Sequence, residues 1–213
     1  MLLCLGIASL IDNYMARVKI KKIREVARSL GFTYRSRPTP TDRELPVGCY
    51  LAKVGYQRTV SNVLEVVDTE ELNFILFDFD YSAGKATFSQ TIARMRAPLL
   101  KLPSFILFPE TIFSKMGVML GLTDINFPDS SKFSDRYILR GQDEAALRAI
   151  FSPALRHALE TLDHLTIEGA DDVLFIFRER RLVEPEEISS LVEEDKRILA
   201  LFFEAQQANG KPS

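Results

Sequence analysis

Between Leu72 and Met95 the chain runs Leu-Asn-Phe-Ile-Leu-Phe-Asp-Phe-Asp-Tyr81, turns through Ser82-Ala-Gly-Lys85, and returns as Ala86-Thr-Phe-Ser-Gln-Thr-Ile-Ala-Arg-Met95. Two runs rich in aromatic and β-branched residues around a polar, glycine-containing turn predict a β-hairpin. Successive strand side chains point to opposite faces. Ile75, Phe77, Phe79 and Tyr81 therefore make one wholly apolar face, while Phe74 and Leu76 share the other with Asp78 and Asp80. An apolar face of that size must be covered, which commits the chain to a sheet packed against other elements.

The flanking sequence extends the β pattern. Cys49 to Val54, Thr59 to Val67 and Phe105 to Phe108 read as short strands, and with the hairpin they predict an antiparallel meander. Helical spacing then predicts a helix over Glu110 to Gly121 and a polar loop over 122–134, followed by a strand over Arg136 to Leu139. Asp143 caps a helix over Glu144 to Ile150, and Ser152-Pro153 starts another running to about Asp163. Leu165 to Glu168 and Val173 to Arg178 form a further strand pair. Pro185 to Ala205 carries an amphipathic stripe of Ile188, Leu191, Val192, Ile198, Leu199, Phe202 and Phe203. The predicted class is α+β: a mainly antiparallel sheet, a meander with a central hairpin, covered by helices and preceded by an amphipathic basic N-terminal helix. A seven-strand barrel closed by a C-terminal helix, as in phosphoinositide-binding domains, is a special case of that pattern.

Charge is distributed unevenly. The net charge is −2, yet residues 1–58 hold eleven basic against four acidic side chains, leaving sixteen against twenty-five in the remainder. Arg17, Lys19, Lys21, Lys22, Arg24 and Arg28 lie within one short span, with Glu25 the only acid among them. Asp12 or Asn13 is placed to cap a helix to Leu30, with Gly31 as its stop. Ahead of it, Leu2 to Ile11 is apolar but too short to span a bilayer, which takes about 20 residues. The expectation is that this basic helix and its apolar leader rest on an anionic membrane surface, where each basic side chain adds about 1 kcal/mol. The competing reading is a helix packed on the core with a solvated basic face. The expected organisation is residues 1–34 as a membrane-surface anchor, 35–46 with its three prolines as a linker, 47–208 as the α+β domain and 209–213 as a frayed tail.

Candidate chemistry is sparse. Cys4 and Cys49 have no metal-ligand spacing and suit reduced thiols in a cytoplasmic protein. Phe74-Ile-Leu-Phe-Asp78-Phe-Asp80 has the form of the first motif of haloacid-dehalogenase-like phosphotransferases, in which paired carboxylates work with magnesium. That chemistry requires the pair at the carboxyl end of a parallel strand, and a turn into a second strand follows here instead. His157, Glu160 and His164 share a helix face, with the apolar face opposite, and read as solvated. Gly84-Lys85-Ala86-Thr87 lacks the first glycine of a phosphate loop and reads as a turn. Tyr34, Arg35 and Arg37 after the basic helix give a weak nucleic-acid signal. No cofactor motif is present.

Ser61-Asn-Val-Leu-Glu65, Leu76-Phe-Asp-Phe-Asp-Tyr81 with Gln90-Thr-Ile-Ala93, Leu102-Pro-Ser-Phe-Ile-Leu-Phe-Pro-Glu110, and Phe133-Ser-Asp-Arg-Tyr-Ile-Leu-Arg-Gly141 leading to Ala149-Ile-Phe-Ser-Pro153 together resemble an uncharacterised bacterial family. The likeness runs from about residue 25 to the C-terminal helix. It implies a soluble α+β domain behind an N-terminal membrane segment and brings no assigned activity. The functional expectation is a non-catalytic binding or scaffold module, peripheral on the inner face of the cell membrane, with the membrane or a protein as partner. The alternative is a metal-dependent phosphotransferase or hydrolase using Asp78 and Asp80.

Overall fold

The computed structural model describes residues 2–68, 71–111 and 123–209. Among the described residues nine strands form one sheet: β1 (Thr33–Arg35), β2 (Tyr56–Asp68), β3 (Leu72–Ala83), β4 (Ala86–Arg96), β5 (Leu102–Pro109), β6 (Thr123–Ile125), β7 (Tyr137–Gly141), β8 (Leu165–Asp171) and β9 (Val173–Arg178). Their order is β1-β2-β3-β4-β9-β8-β5-β7-β6 and every neighbouring pair is antiparallel. The helices are α1 (Leu2–Ser29), α2 (Ser131–Arg136), α3 (Glu144–Ile150), α4 (Pro153–Glu160) and α5 (Ile188–Asn209). The α+β class, the antiparallel sheet and the central hairpin are as the sequence predicts, but the meander runs only from β1 to β4, because β9 and β8 stand between β4 and the Phe105–Phe108 strand β5. The barrel does not form, because the sheet is open, with β1 and β6 at its edges.

The predicted hairpin is the longest ladder in the sheet. β3 and β4 pair without interruption from Asn73↔Arg96 to Ala83↔Ala86. β4 then joins the second half of the chain through β9, with Ile92 opposite Phe177 and Met95 opposite Leu174. A central strand of this kind has both faces covered, and each face carries its own core.

On the first face Phe74, Leu76, Ala93, Met95, Leu174, Ile176 and Leu107 are buried under Ile23 and Ala27 of α1 and under Ile188, Val192, Ile198 and Phe202 of α5. On the second, Ile75, Phe77, Phe79, Ile92, Phe175 and Phe177 are buried under Leu45, Cys49 and Leu51. Phe74, Phe77 and Phe79 are fully enclosed, and burial of such side chains stabilises by roughly 1.5–3 kcal/mol each.

That second cover corrects two expectations. Cys49 to Val54 is no strand: Tyr50–Lys53 is a single 3-10 turn whose buried Leu51 drops onto the sheet. Gly55, which follows it, has φ +64°, and a Cβ there would lie 2.2 Å from the Ser82 carbonyl oxygen, so only glycine lets the chain pass β3. The stretch expected as a linker is part of the same cover, since Asp42 and Leu45 within it are buried.

Further differences are local. α1 runs unbroken through Asp12 and Asn13, so neither caps a helix there. Its stop is as predicted: Gly31 takes φ +75°, and the Phe32 amide donates back to the Ala27 carbonyl at 2.8 Å. The 122–134 loop contains β6 and the start of α2. The helix expected over Glu110 to Gly121 lies almost wholly outside the described residues.

Candidate functional site

The basic helix α1 divides in two along its length. Ile23 and Ala27, four apart, are buried on the sheet, and Val18, Ile20 and Val26 are half-buried beside them. Tyr14, Met15, Ala16 and Arg17 are all exposed, Tyr14 at 68% and Met15 at 59%. Lys19 reaches Glu184 at 3.2 Å and Lys22 reaches Glu186 at 2.6 Å, clamping α1 to the segment that leads into α5. The hydrogen bond that Lys22 donates to Glu186, with the charge of that carboxylate, raises the Lys22 pKa, and the same contact lowers that of Glu186. Lys21 pairs along the helix with Glu25 at 3.9 Å. Arg17, Arg24 and Arg28 are exposed and have no carboxylate at ion-pair distance among the described residues. The six predicted basic residues therefore divide three ways: Lys19 and Lys22 pair with the body, Lys21 pairs within the helix, and Arg17, Arg24 and Arg28 project cationic heads outward.

Asp78 and Asp80 lie in mid-strand on the first face, in an antiparallel hairpin. Asp78 accepts from Asn62 Nδ2 at 2.9 Å and from Thr91 Oγ1 at 2.7 Å. Asn62 Oδ1 in turn accepts the Tyr34 hydroxyl at 2.8 Å, and Thr91 Oγ1 accepts the Val183 amide at 2.9 Å. Burial raises the Asp78 pKa, against the lowering effect of its Asn62 and Thr91 hydrogen bonds and the Lys19 charge. Asp80 accepts from Ser89 and, at 3.4 Å, from Thr59. Both carboxylates are only half-buried, and their lone pairs are engaged by neutral donors that fasten β2, β4 and the 181–184 loop to β3. The aspartates are therefore joints of the scaffold. No group of three or more His, Cys, Asp or Glu that could hold a metal ion occurs among the described residues. The histidines separate as well, because α4 ends at Glu160 and leaves His164 beyond it, while His157 pairs with Glu160 at 3.5 Å.

Two buried acids escaped the sequence reading. Glu168 on β8 accepts the Cys49 thiol at 3.0 Å and the Tyr50 amide at 2.8 Å. Burial pushes its pKa up to about 7 against those two hydrogen bonds and the charge of Lys53. Asp195 on α5 is fully buried and neither carboxyl oxygen has a hydrogen-bond partner. Burial, then the neighbouring Glu194, raises its pKa well above the usual range, with Arg178 opposing. Asp195 was discoverable, since it falls on the Ile188, Val192, Phe202 stripe of α5. Glu168 was not, because nothing in Leu165 to Glu168 announces that both faces of β8 are covered.

No protein-family model and no curated protein matches the sequence. The fold matches the crystal structure of the mycobacterial trehalose monomycolate transport factor A at a TM-score of 0.58 and 11% identity, covering 87% of this chain and 92% of that one. At that identity the likeness shows a common fold. Among the described residues no helix is long and apolar enough to cross a membrane.

Proposed function

We propose that this chain is a non-catalytic binding or scaffold module that rests on an anionic membrane surface, on the inner face of the cell membrane, through α1. The observation that carries the reading is the two-part character of that helix. Its later half is seated on the body by Ile23 and Ala27, with the Lys19 and Lys22 ion pairs beside them, while exposed Tyr14 and Met15 sit just ahead of Arg17, Arg24 and Arg28, which have no ion pair among the described residues. Amphipathic rings and thioethers beside cationic heads suit the boundary between lipid headgroups and acyl chains. In this reading residues 1–34 are the anchor and the sheet with its helices is the body that it positions.

The solved structure of similar fold is by name a transport factor, and a scaffold beside a membrane is in keeping with that name. The engagement of Asp78 and Asp80 by Asn62, Thr91, Ser89 and Thr59 supports the non-catalytic half of the proposal.

The test is co-sedimentation of the full chain with vesicles of phosphatidylglycerol and phosphatidylcholine against phosphatidylcholine alone. Pelleting with the anionic vesicles only, weakened by salt and lost in an Arg17→Glu, Arg24→Glu, Arg28→Glu variant, is the expected outcome. Equal pelleting of that variant removes the proposal.

A further inference from the structure

The second face of the sheet holds a cleft of about 620 Å³, in the size range of small-molecule sites. Its floor is one cross-strand row, Glu65 on β2, Ile75 on β3 and Arg94 on β4, and its wall is the 39–45 segment ending at buried Leu45. It opens on the side of the sheet away from α1, so it is independent of the membrane reading.

Three arginines and three acids line this cleft, and their ion pairs leave Arg94 without a carboxylate at bonding distance among the described residues. Arg35 takes Asp42 of the wall and Glu65 of the floor, binding Asp42 through Nη2 at 2.6 Å and Nε at 3.0 Å, and Glu65 through Nη1 at 3.0 Å, while Glu44 of the wall is exposed. Glu65 also accepts from Asn73 Nδ2 at 3.3 Å. Arg96 is held by Asp172 at 2.8 Å. The guanidinium of Arg94, half-buried between them, has no hydrogen bond or ion pair among the described residues. A guanidinium drawn partly out of water without a carboxylate is costly, and its planar fork matches a carboxylate in bidentate fashion. Burial, then the charge of Arg96, lowers the Arg94 pKa, against the more distant charges of Asp172 and Glu65.

We propose that the cleft is a binding site for a small organic carboxylate, with its charged head on Arg94 and its apolar body against Ile75 and Leu45. The engaged acids nearby favour a singly charged head over a phosphate dianion, since Glu65 and Asp42 repel the second charge more than Arg94 alone repays.

The experiment is phenylglyoxal labelling of arginines in the full chain, read residue by residue by mass spectrometry, with sodium hexanoate, inorganic phosphate or sodium chloride at matched ionic strength. Hexanoate at ten times its dissociation constant is expected to slow labelling of Arg94 by roughly tenfold, to leave Arg17 and Arg28 unchanged, and to raise the melting temperature of the wild type. The melting shift is expected to vanish in Arg94→Met and to shrink in Arg94→Lys, which keeps the charge and loses the fork. Unchanged Arg94 labelling with hexanoate overturns the site, and stronger protection by phosphate than by hexanoate overturns the carboxylate assignment. Because the labelling arm uses the unaltered protein, a variant that fails to fold does not rescue the proposal.

Discussion

Cys49 donates its thiol to Glu168 Oε1 at 3.0 Å across 119 residues of sequence, pinning the turn that covers the second face to β8. The acid is buried, and its pKa is pushed up to about 7. The folded state therefore holds the Glu168 proton more tightly than the unfolded chain does. Its contribution to stability is complete below the ordinary glutamate value of about 4.5 and is lost as pH rises through about 7, to the extent of about 3 kcal/mol. Urea denaturation of wild type and Glu168→Gln at pH 5 and pH 8 checks this. The wild type is expected to weaken relative to the variant at the higher pH, and parallel curves would count against a buried proton.

Asp195 gives a second pH signature through a different cause. Its two oxygens are buried on the packed side of α5 without hydrogen-bond partners among the described residues, and burial raises its pKa well above the ordinary aspartate value. Asp195→Leu restores the apolar stripe and is expected to stabilise the protein by about 1–3 kcal/mol. The raised folded pKa means that wild-type stability falls as pH climbs above the ordinary aspartate range, so the advantage of the variant is expected to widen from pH 5 to pH 8. Chemical denaturation at the two values measures it.

Asp78 tests the role of the hairpin acids. Removing its carboxylate strands Asn62 Nδ2 and Thr91 Oγ1, which it now accepts at 2.9 and 2.7 Å. Asp78→Ala is expected to cost about 1–3 kcal/mol, whereas Asp78→Asn, which keeps an acceptor for Thr91, costs less. Magnesium is expected to leave the melting temperature of the wild type unchanged. A magnesium-dependent rise that Asp78→Asn abolishes would revive the phosphotransferase alternative.

What the sequence disclosed follows the range of the forces involved. The hairpin was legible because alternation from Leu72 to Met95 is a local consequence of strand geometry. So were the caps: Asp143 accepts the Ala146 amide at 3.0 Å and Ser152 that of Leu155 at 3.3 Å, as their positions ahead of helices predict. Cys49 to Val54 misled because burial of Cys49 and Leu51 against a distant sheet mimics the pattern of a strand. The face that Phe74 and Leu76 share with Asp78 and Asp80 gave no local sign of its cover, for α1 and α5 return from distant sequence to bury Phe74 and Leu76. The Arg94 cleft was invisible, since the partners that silence Arg35 and Arg96 come from three separate segments.

The seating of α1 supplies the last prediction, in which packing and charge are set against each other. Ile23 and Ala27 are buried in the first core, where Phe32 meets Phe74 edge to face at 5.7 Å. Lys19–Glu184 and Lys22–Glu186 are largely exposed and screened by salt. Ile23→Ala is therefore expected to cost about 2–5 kcal/mol by leaving a cavity and to speed amide exchange throughout 19–29. The double variant Lys19→Ala, Lys22→Ala is expected to leave that exchange nearly unchanged, at low salt as at high. Hydrogen exchange read by mass spectrometry separates the two, and a helix released by the double variant would mean that ion pairs, rather than the apolar seat, hold it to the body.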